Sequence, residues 1–387
     1  MPPALAGVTV LDFASVGPAA RCSRILADYG AEVVKVGPPP KKGAKQIQPP
    51  FYSYGAGRGM KKVQIDLKAG DGKAAFMKLA ERADVVIESF RPGVVDRLGI
   101  GYADVSAIND RIIYCSTSGF GQTGPSSKRA GHDLNYLAVG GYLACSTPRG
   151  DDGPPIPGAT VADSAAGGMH AVIAILAAIV RRSATGRGEY LDVSVADGVV
   201  QLMSLHIDSY LATGEQPGPG ADILTGRYAC YDSYRCRDGK WMSVGAIEPI
   251  FYANLCKTLG VERWIEHQTD DASQDEIRAD FARAFAERDR QQWIEAFATV
   301  DTCIAPVYDI SELAEDPQLV SRGVFVEADH PDKGRFRQVG PVLAGMTGAD
   351  GPYRVRSAEV TDTEELLSAA GLTSDEIGRM REQGVVA

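Results

Sequence analysis

The chain has no Lys/Arg-rich run, no paired cysteine motif and no apolar stretch of membrane-spanning length, and each absence narrows what it does. Without clustered cations, a net charge of −10 repels a polyanion except where a few basic side chains meet in one cleft. Nucleic acid is thereby disfavoured as a partner, whereas a small polyanionic ligand is not. The seven cysteines (Cys22, Cys115, Cys145, Cys230, Cys236, Cys256, Cys303) form no CxxC pair and no Cys/His spacing suited to zinc, so they read as reduced core thiols and no metal is indicated. The opening MPPALAGVTVLDFASVG lacks a basic segment followed by an apolar one and does not read as a signal peptide. The longest apolar run, 169–180, contains His170 and stops at Arg181-Arg182, which fits a buried helix too short to span a bilayer. A cytoplasmic protein is the expectation.

What is present is an ordinary globular balance of 44% hydrophobic and 23% charged residues over 387 positions, enough chain for two lobes. Short apolar runs alternate with helical segments. VTVLDF (8–13), a helix from Gly17-Pro18 to Tyr29, and AEVVKV (31–36) make one β-α-β unit; KVQIDL (62–67), a helix over 72–82, ADVVIESF (83–90), a short helix over 92–98 and RIIYCSTS (111–118) extend it. That alternation predicts an α/β fold with a mostly parallel sheet. One Ala-rich helix is predicted over 163–182, then a strand over 190–195 and a helix over 197–213.

Chain character changes at GEQPGPGAD (214–222). The sequence divides into a large α/β domain over 1–213, a linker at 214–225, a small domain over 226–325, a Pro/Gly-rich return at 326–350 and a C-terminal part of the large domain over 351–387. YDSYRCRDGKWMSVGA (231–246) predicts a hairpin turning at Asp238-Gly239, and the tail predicts two amphipathic helices, the second capped by Thr373 or Ser374.

Gly119-Phe120-Gly121-Gln122-Thr123-Gly124 matches a dinucleotide-binding pattern, but Pro125-Ser126-Ser127-Lys128-Arg129 is loop-like where a helix should open. A nicotinamide site is therefore set aside, and a loop that lets backbone approach a ligand is kept.

Three segments carry the chemistry: AGHDLNYLAVGGYL (130–143), PGATVADSAAGGMHA (157–171) and MSVGAIEPIFY (242–252). Read alone, Asp163 is a helix cap, His132 a structural histidine, and Glu248 an acidic residue before the helix-opening Pro249. Together with LADYGAEVVKV, ESFRPGVVDRLGIGY, SGFGQTGP and GLTSDEIGRMREQGVV, they closely resemble the family III CoA transferases, which include the 2-methylacyl-CoA racemases.

The resemblance implies a large Rossmann-like lobe, a smaller α+β lobe and an interlocked homodimer acting on an acyl-CoA, with no cofactor beyond the coenzyme A of the substrate. It gives Asp163 the role of nucleophile in transferases or acid/base in racemases, held by free N–H groups at a helix start. The Gly-His-Asp-Leu-Asn-Tyr setting resembles racemases, in which His132 and Asp163 face opposite sides of the α-carbon and Glu248 supports His132; the Ser164-Ala165-Ala166-Gly167-Gly168 continuation is closer to transferases. Candidate CoA contacts are Val16, Lys35, Arg58, Lys61, Lys62, Arg91 and Arg97, with backbone and stacking from Gly119, Phe120, Gly121 and Gln122.

Overall fold

A computed structural model describes residues 1–40, 50–53, 57–146, 154–346, 348–349, 351–357 and 359–387. The chain divides into two compact units: Met1–Gly140 with Pro157–Leu202 and Pro317–Ala387, and Gly141–Ile156 with Met203–Asp316.

In the first unit, β1 (Thr9–Asp12), α1 (Gly17–Asp28), β2 (Glu32–Gly37), β3 (Lys61–Gln64), α2 (Gly70–Ala80), β4 (Val85–Glu88), the short helix α3 (Val94–Leu98) and β5 (Ile113–Ser118) alternate as the sequence predicts, with a further short helix, α4 (Tyr102–Ser106), that it did not. Next come α5 (Asp133–Val139) and, within the second unit, α6 (Tyr142–Cys145). A π-helical stretch at Ala162–Met169 then runs into α7 (His170–Thr185), followed by β6 (Glu189–Ser194) and α8 (Val195–Leu202).

The six strands form one parallel sheet in the order β3-β2-β1-β4-β5-β6. Helices cover both faces, so successive strand residues feed opposite cores. Leu11, Val34, Val86 and Tyr114 pack beneath α2 and the C-terminal helices, whereas Val10, Val33, Val85 and Ile113 pack beneath α1 and α7. The order reverses direction between β1 and β4, and in open α/β sheets such a switch point leaves a crevice at the carboxyl ends of the strands.

The second unit contains α9 (Ser204–Thr213), the antiparallel hairpin β7 (Tyr231–Arg235) and β8 (Trp241–Gly245), α10 (Pro249–Leu259), α11 (Gln274–Phe285), α12 (Arg290–Phe297), β9 (Ile304–Pro306) and α13 (Ile310–Leu313). The hairpin turns through Gly239 at φ 80, where the sequence placed it. The chain returns to the first unit through α14 (Pro317–Ser321), a small sheet of β10 (Phe325–His330), β11 (Gly334–Val339) and β12 (Tyr353–Arg354), and the helices α15 (Thr363–Ala369) and α16 (Ser374–Glu382). Thr373 caps α16, accepting the Glu376 N–H.

Several boundaries differ from the sequence reading: the second unit also takes Gly141–Ile156 and ends at Asp316 rather than at 325. Residues 203–213, read as the end of the large domain, join the second unit, and the His206 ring on α9 is tied to Asp222 at 3.2 Å. The stretch 326–350, read as a linker, holds a hairpin whose turn uses Gly334 at φ 73; its Pro/Gly density marks a turn rather than a tether. The expected helix over 163–182 starts as a π-helix, so the continuous helical segment is 24 residues, longer than the apolar run suggested. Among the described residues it is the one helix long and apolar enough to cross a membrane, yet it lies on the sheet with Ala171, Val172, Ile175 and Ala178 buried.

At the carboxyl end of α1 lies a buried ion cluster. The Asp28 carboxylate takes Arg24 at 2.7 Å and Arg58 at 2.9 Å, and Arg58, only 2% exposed, also donates to the Val339 carbonyl. Burial pushes the Arg24 guanidinium down to about 10. Removing the shared anion strands two buried cations, so Asp28→Ala is expected to cost about 3–5 kcal/mol, read as a lower urea midpoint. A shift under about 1 kcal/mol would show that water reaches the pair.

Candidate active site

The carboxyl ends of β1, β4, β5 and β6 open onto a cavity of about 330 Å³ in the first unit, at the switch point the sheet order creates. Its walls come from Val16–Pro18 ahead of and opening α1, Ser89–Pro92 after β4, Thr117–Gly119 closing β5, 129–132 and Tyr136 around the start of α5, and Val195; Asp163 lies on the same wall set. His132 and Asp163, paired by sequence, therefore share one cavity.

Asp163 sits in the π-helical stretch, a local distortion that frequently marks functional sites. Small residues permit it. A Cβ on Gly167 would meet Pro18 of α1 at 2.6 Å, and one on Gly198 of α8 would meet the Ala166 carbonyl at 2.0 Å. The Ala-Gly-Gly sequence after Asp163 is thus the packing condition that presses this turn between α1 and α8.

The Asp163 side chain is 19% exposed, with Arg21 Nη1 at 4.0 Å from Oδ2. The helix-start N–H groups expected to hold this carboxylate bond elsewhere at 163 and 164: the Asp163 N–H donates to Asp133 Oδ1 at 2.7 Å, and the Ser164 N–H to the Thr160 carbonyl. Burial raises the Asp163 pKa; Arg21 opposes, Asp133 adds to the rise, and His132 opposes. The balance leaves a carboxylate more basic than an exposed aspartate, as suits an acid/base or a nucleophile.

His132 is the residue before α5, and its backbone N–H donates to Asn135 Oδ1 at 3.0 Å, which leaves the ring exposed and unengaged by the helix start. One turn on, Tyr136 bonds its hydroxyl to the Gly131 carbonyl at 2.6 Å and meets the Phe120 ring edge-on at 5.3 Å. A Cβ on Gly119 would fall 2.4 Å from the Tyr136 ring, so this glycine is needed for close approach. Gly121, at φ 77, lets the loop turn so that the Gln122 N–H reaches both Asp192 carboxylate oxygens at 3.1 and 3.0 Å. No helix opens until Asp133, in keeping with setting the dinucleotide pattern aside.

A second hollow of about 470 Å³ adjoins the first through Arg91 and Pro92, and Arg97 and Lys128 complete its cationic lining. Arg91 and Arg97 were read as ligand contacts; Lys128 was missed, because a lone lysine in a polar loop carries no pattern. The structure does not bring the other expected cations here. Lys35 pairs with buried Asp12, Arg58 is spent on Asp28, and Lys61 lies between Glu32 and Glu365 at 2.8 and 2.9 Å. Lys62 is on β3, half-buried, with its N–H on Asp362 and its amine held low by burial. Glu248 belongs to the second unit, exposed, just before Pro249 at the start of α10, with no side-chain bond to its own helix.

The family model described as CoA-transferase family III matches residues 5–358. Alpha-methylacyl-CoA racemase of Homo sapiens is 33% identical over 386 residues, covering 99% of this chain and 97% of that protein. Acetyl-CoA:oxalate CoA-transferase of Acetobacter aceti is 29% identical over 375 residues, covering 92% and 93%. The crystal structure of a CAIB/BAIF family protein from Brucella suis superposes with a TM-score of 0.78 over 96% of this chain and 100% of that one, at 24% identity.

Proposed function

This chain belongs to CoA-transferase family III, and from that premise we propose that it is a 2-methylacyl-CoA racemase or epimerase, exchanging the α-proton of an acyl-CoA between His132 and Asp163. The observation that carries the reading is the presence of two proton acceptors of different kinds in one cavity, with a polycationic hollow alongside. One base takes the α-proton, the electron pair moves onto the thioester oxygen as an enolate, and the other base returns a proton to the opposite face. The raised Asp163 pKa makes this carboxylate a stronger base than an exposed aspartate, as suits a group that both takes and returns a proton. Arg91, Arg97 and Lys128 would hold the phosphates of coenzyme A. Glu248 is assigned, on its motif alone, as the partner that fixes the His132 tautomer.

A specific feature favours a second reading. Asp163 retains an accessible carboxylate, and the Ser-Ala-Ala-Gly-Gly continuation with the transferase relatives fits a carboxylate that attacks the thioester and passes CoA to another acid. A homodimer is part of the proposal: Ile173 and Val180 of α7, with Met169 just before it, and Val200 and Leu202 of α8 are exposed apolar side chains that a second copy would cover.

The test is a single-enantiomer 2-methylacyl-CoA in D2O without an acceptor acid. Deuterium uptake at the α-carbon with loss of chirality is expected. A bound acyl-CoA that neither exchanges nor inverts would move the assignment to the transferase.

A further inference from the structure

Glu88 closes β4 one residue before the cavity wall begins, and its side chain is buried at 2% exposure. One carboxyl oxygen accepts the Phe90 N–H at 2.7 Å. Ser116, its partner in the β4–β5 register, bonds to the same carboxyl and also to Tyr190 on β6. The turn from Ser89 to Pro92 is therefore gripped from below, and it carries Phe90 and Arg91 into the cavity and Arg91 into the cationic hollow. The titratable groups that face the carboxyl are Asp96 from α3, Tyr114 and Cys115 from β5, and Tyr190 and Asp192 from β6, all of them acids.

We propose that Glu88 is the positioning residue of this site: its carboxyl sets the Ser89–Pro92 turn and makes affinity for an anionic CoA thioester depend on whether that carboxyl is protonated. The inference rests on the reading of the cavity as a CoA site. Burial is the main cause that lifts Glu88 to about 7, so it is neutral below that pH and anionic above it. An anion beneath the turn that carries Arg91 adds a field that repels incoming phosphates, so affinity falls as pH rises through about 7. The folded protein holds this proton more tightly than the unfolded chain does, so the group's contribution to stability is complete below the ordinary glutamate range and is lost as pH rises to about 7.

The experiment is calorimetric titration of coenzyme A into wild type, Glu88→Gln and Ser116→Ala across pH 6 to 8, with melting curves in parallel. Wild type is expected to weaken by roughly three- to tenfold more than Glu88→Gln over that span, since one unit of pKa coupling is tenfold. The ligand's own phosphate titrates in both and cancels. Ser116→Ala, which deprives the anion of a donor, moves the wild-type midpoint upward, and Glu88→Gln gains melting temperature relative to wild type between pH 6 and pH 8. Identical pH dependence in wild type and Glu88→Gln, or an unmoved midpoint in Ser116→Ala, would overturn the proposal. Failure of all three proteins to bind coenzyme A at any pH would instead overturn the CoA reading and this inference with it, a result distinguishable because it does not depend on residue 88.

Discussion

Asp163→Asn is expected to lower turnover of any acyl-CoA substrate by about 10²–10⁴-fold or more while leaving the melting temperature at neutral pH unchanged or higher. Both readings of the site need this carboxylate, one as a proton carrier and the other as the atom that bonds the acyl group, and an amide does neither. The stability half follows from sign. Burial raises the folded-state pKa of Asp163, so the folded protein binds its proton more tightly than the unfolded chain does. Its contribution to stability is present at low pH and lost as pH rises through the folded value, which makes the ionised form at neutral pH a cost. Asn removes that cost and keeps the shape, and the Asp163 backbone N–H stays on Asp133. Activity and melting curves on the same preparation decide it. A large fall in melting temperature with the activity loss would mean that the carboxylate is a structural partner of Arg21, and full activity would remove Asp163 from the chemistry under either reading.

The parallel strands are legible because those at the centre, β1, β4 and β5, are buried on both faces and read as short apolar runs with helices between them. His132 and Asp163 are legible because their motifs are distinctive. Asp133 and Tyr136 are not, although both stand within the same motif: a first-turn aspartate and a tyrosine one turn further look like ordinary helix residues until the chain from 163 returns to meet them. Asp133 beside His132 was the one available signal. Arg58 and Lys61 were overread for a related reason. Counting cations cannot reveal that Asp28 and Glu365, 30 and 304 positions away, already hold them. Glu88 lies within a quoted motif, yet its environment exists only once β5 pairs with β4 at Ser116.

His132→Ala separates the two readings, and its expected result is asymmetric. The exposed ring makes no bond that holds α5, whose start is fixed by the backbone N–H to Asn135, so the variant should fold as wild type does. Under the racemase reading, inversion needs a donor on the face opposite the base that acted first, and racemisation falls by about 10²–10⁴-fold. Exchange need not vanish with it. The enantiomer whose α-proton points at Asp163 can still lose it to that carboxylate and regain solvent deuterium from the same side, giving uptake with retention, whereas the other enantiomer has no base facing its proton and stays unlabelled. Two enantiomers incubated separately in D2O, followed by mass spectrometry and chiral chromatography, therefore give a one-sided pattern if the bases lie on opposite faces. Equal labelling of both with chirality lost would show that Asp163 or solvent serves both faces and would end the two-base proposal. Acyl transfer to an added acid, undiminished in the variant, would place the chemistry on Asp163 alone and make His132 a bystander to it.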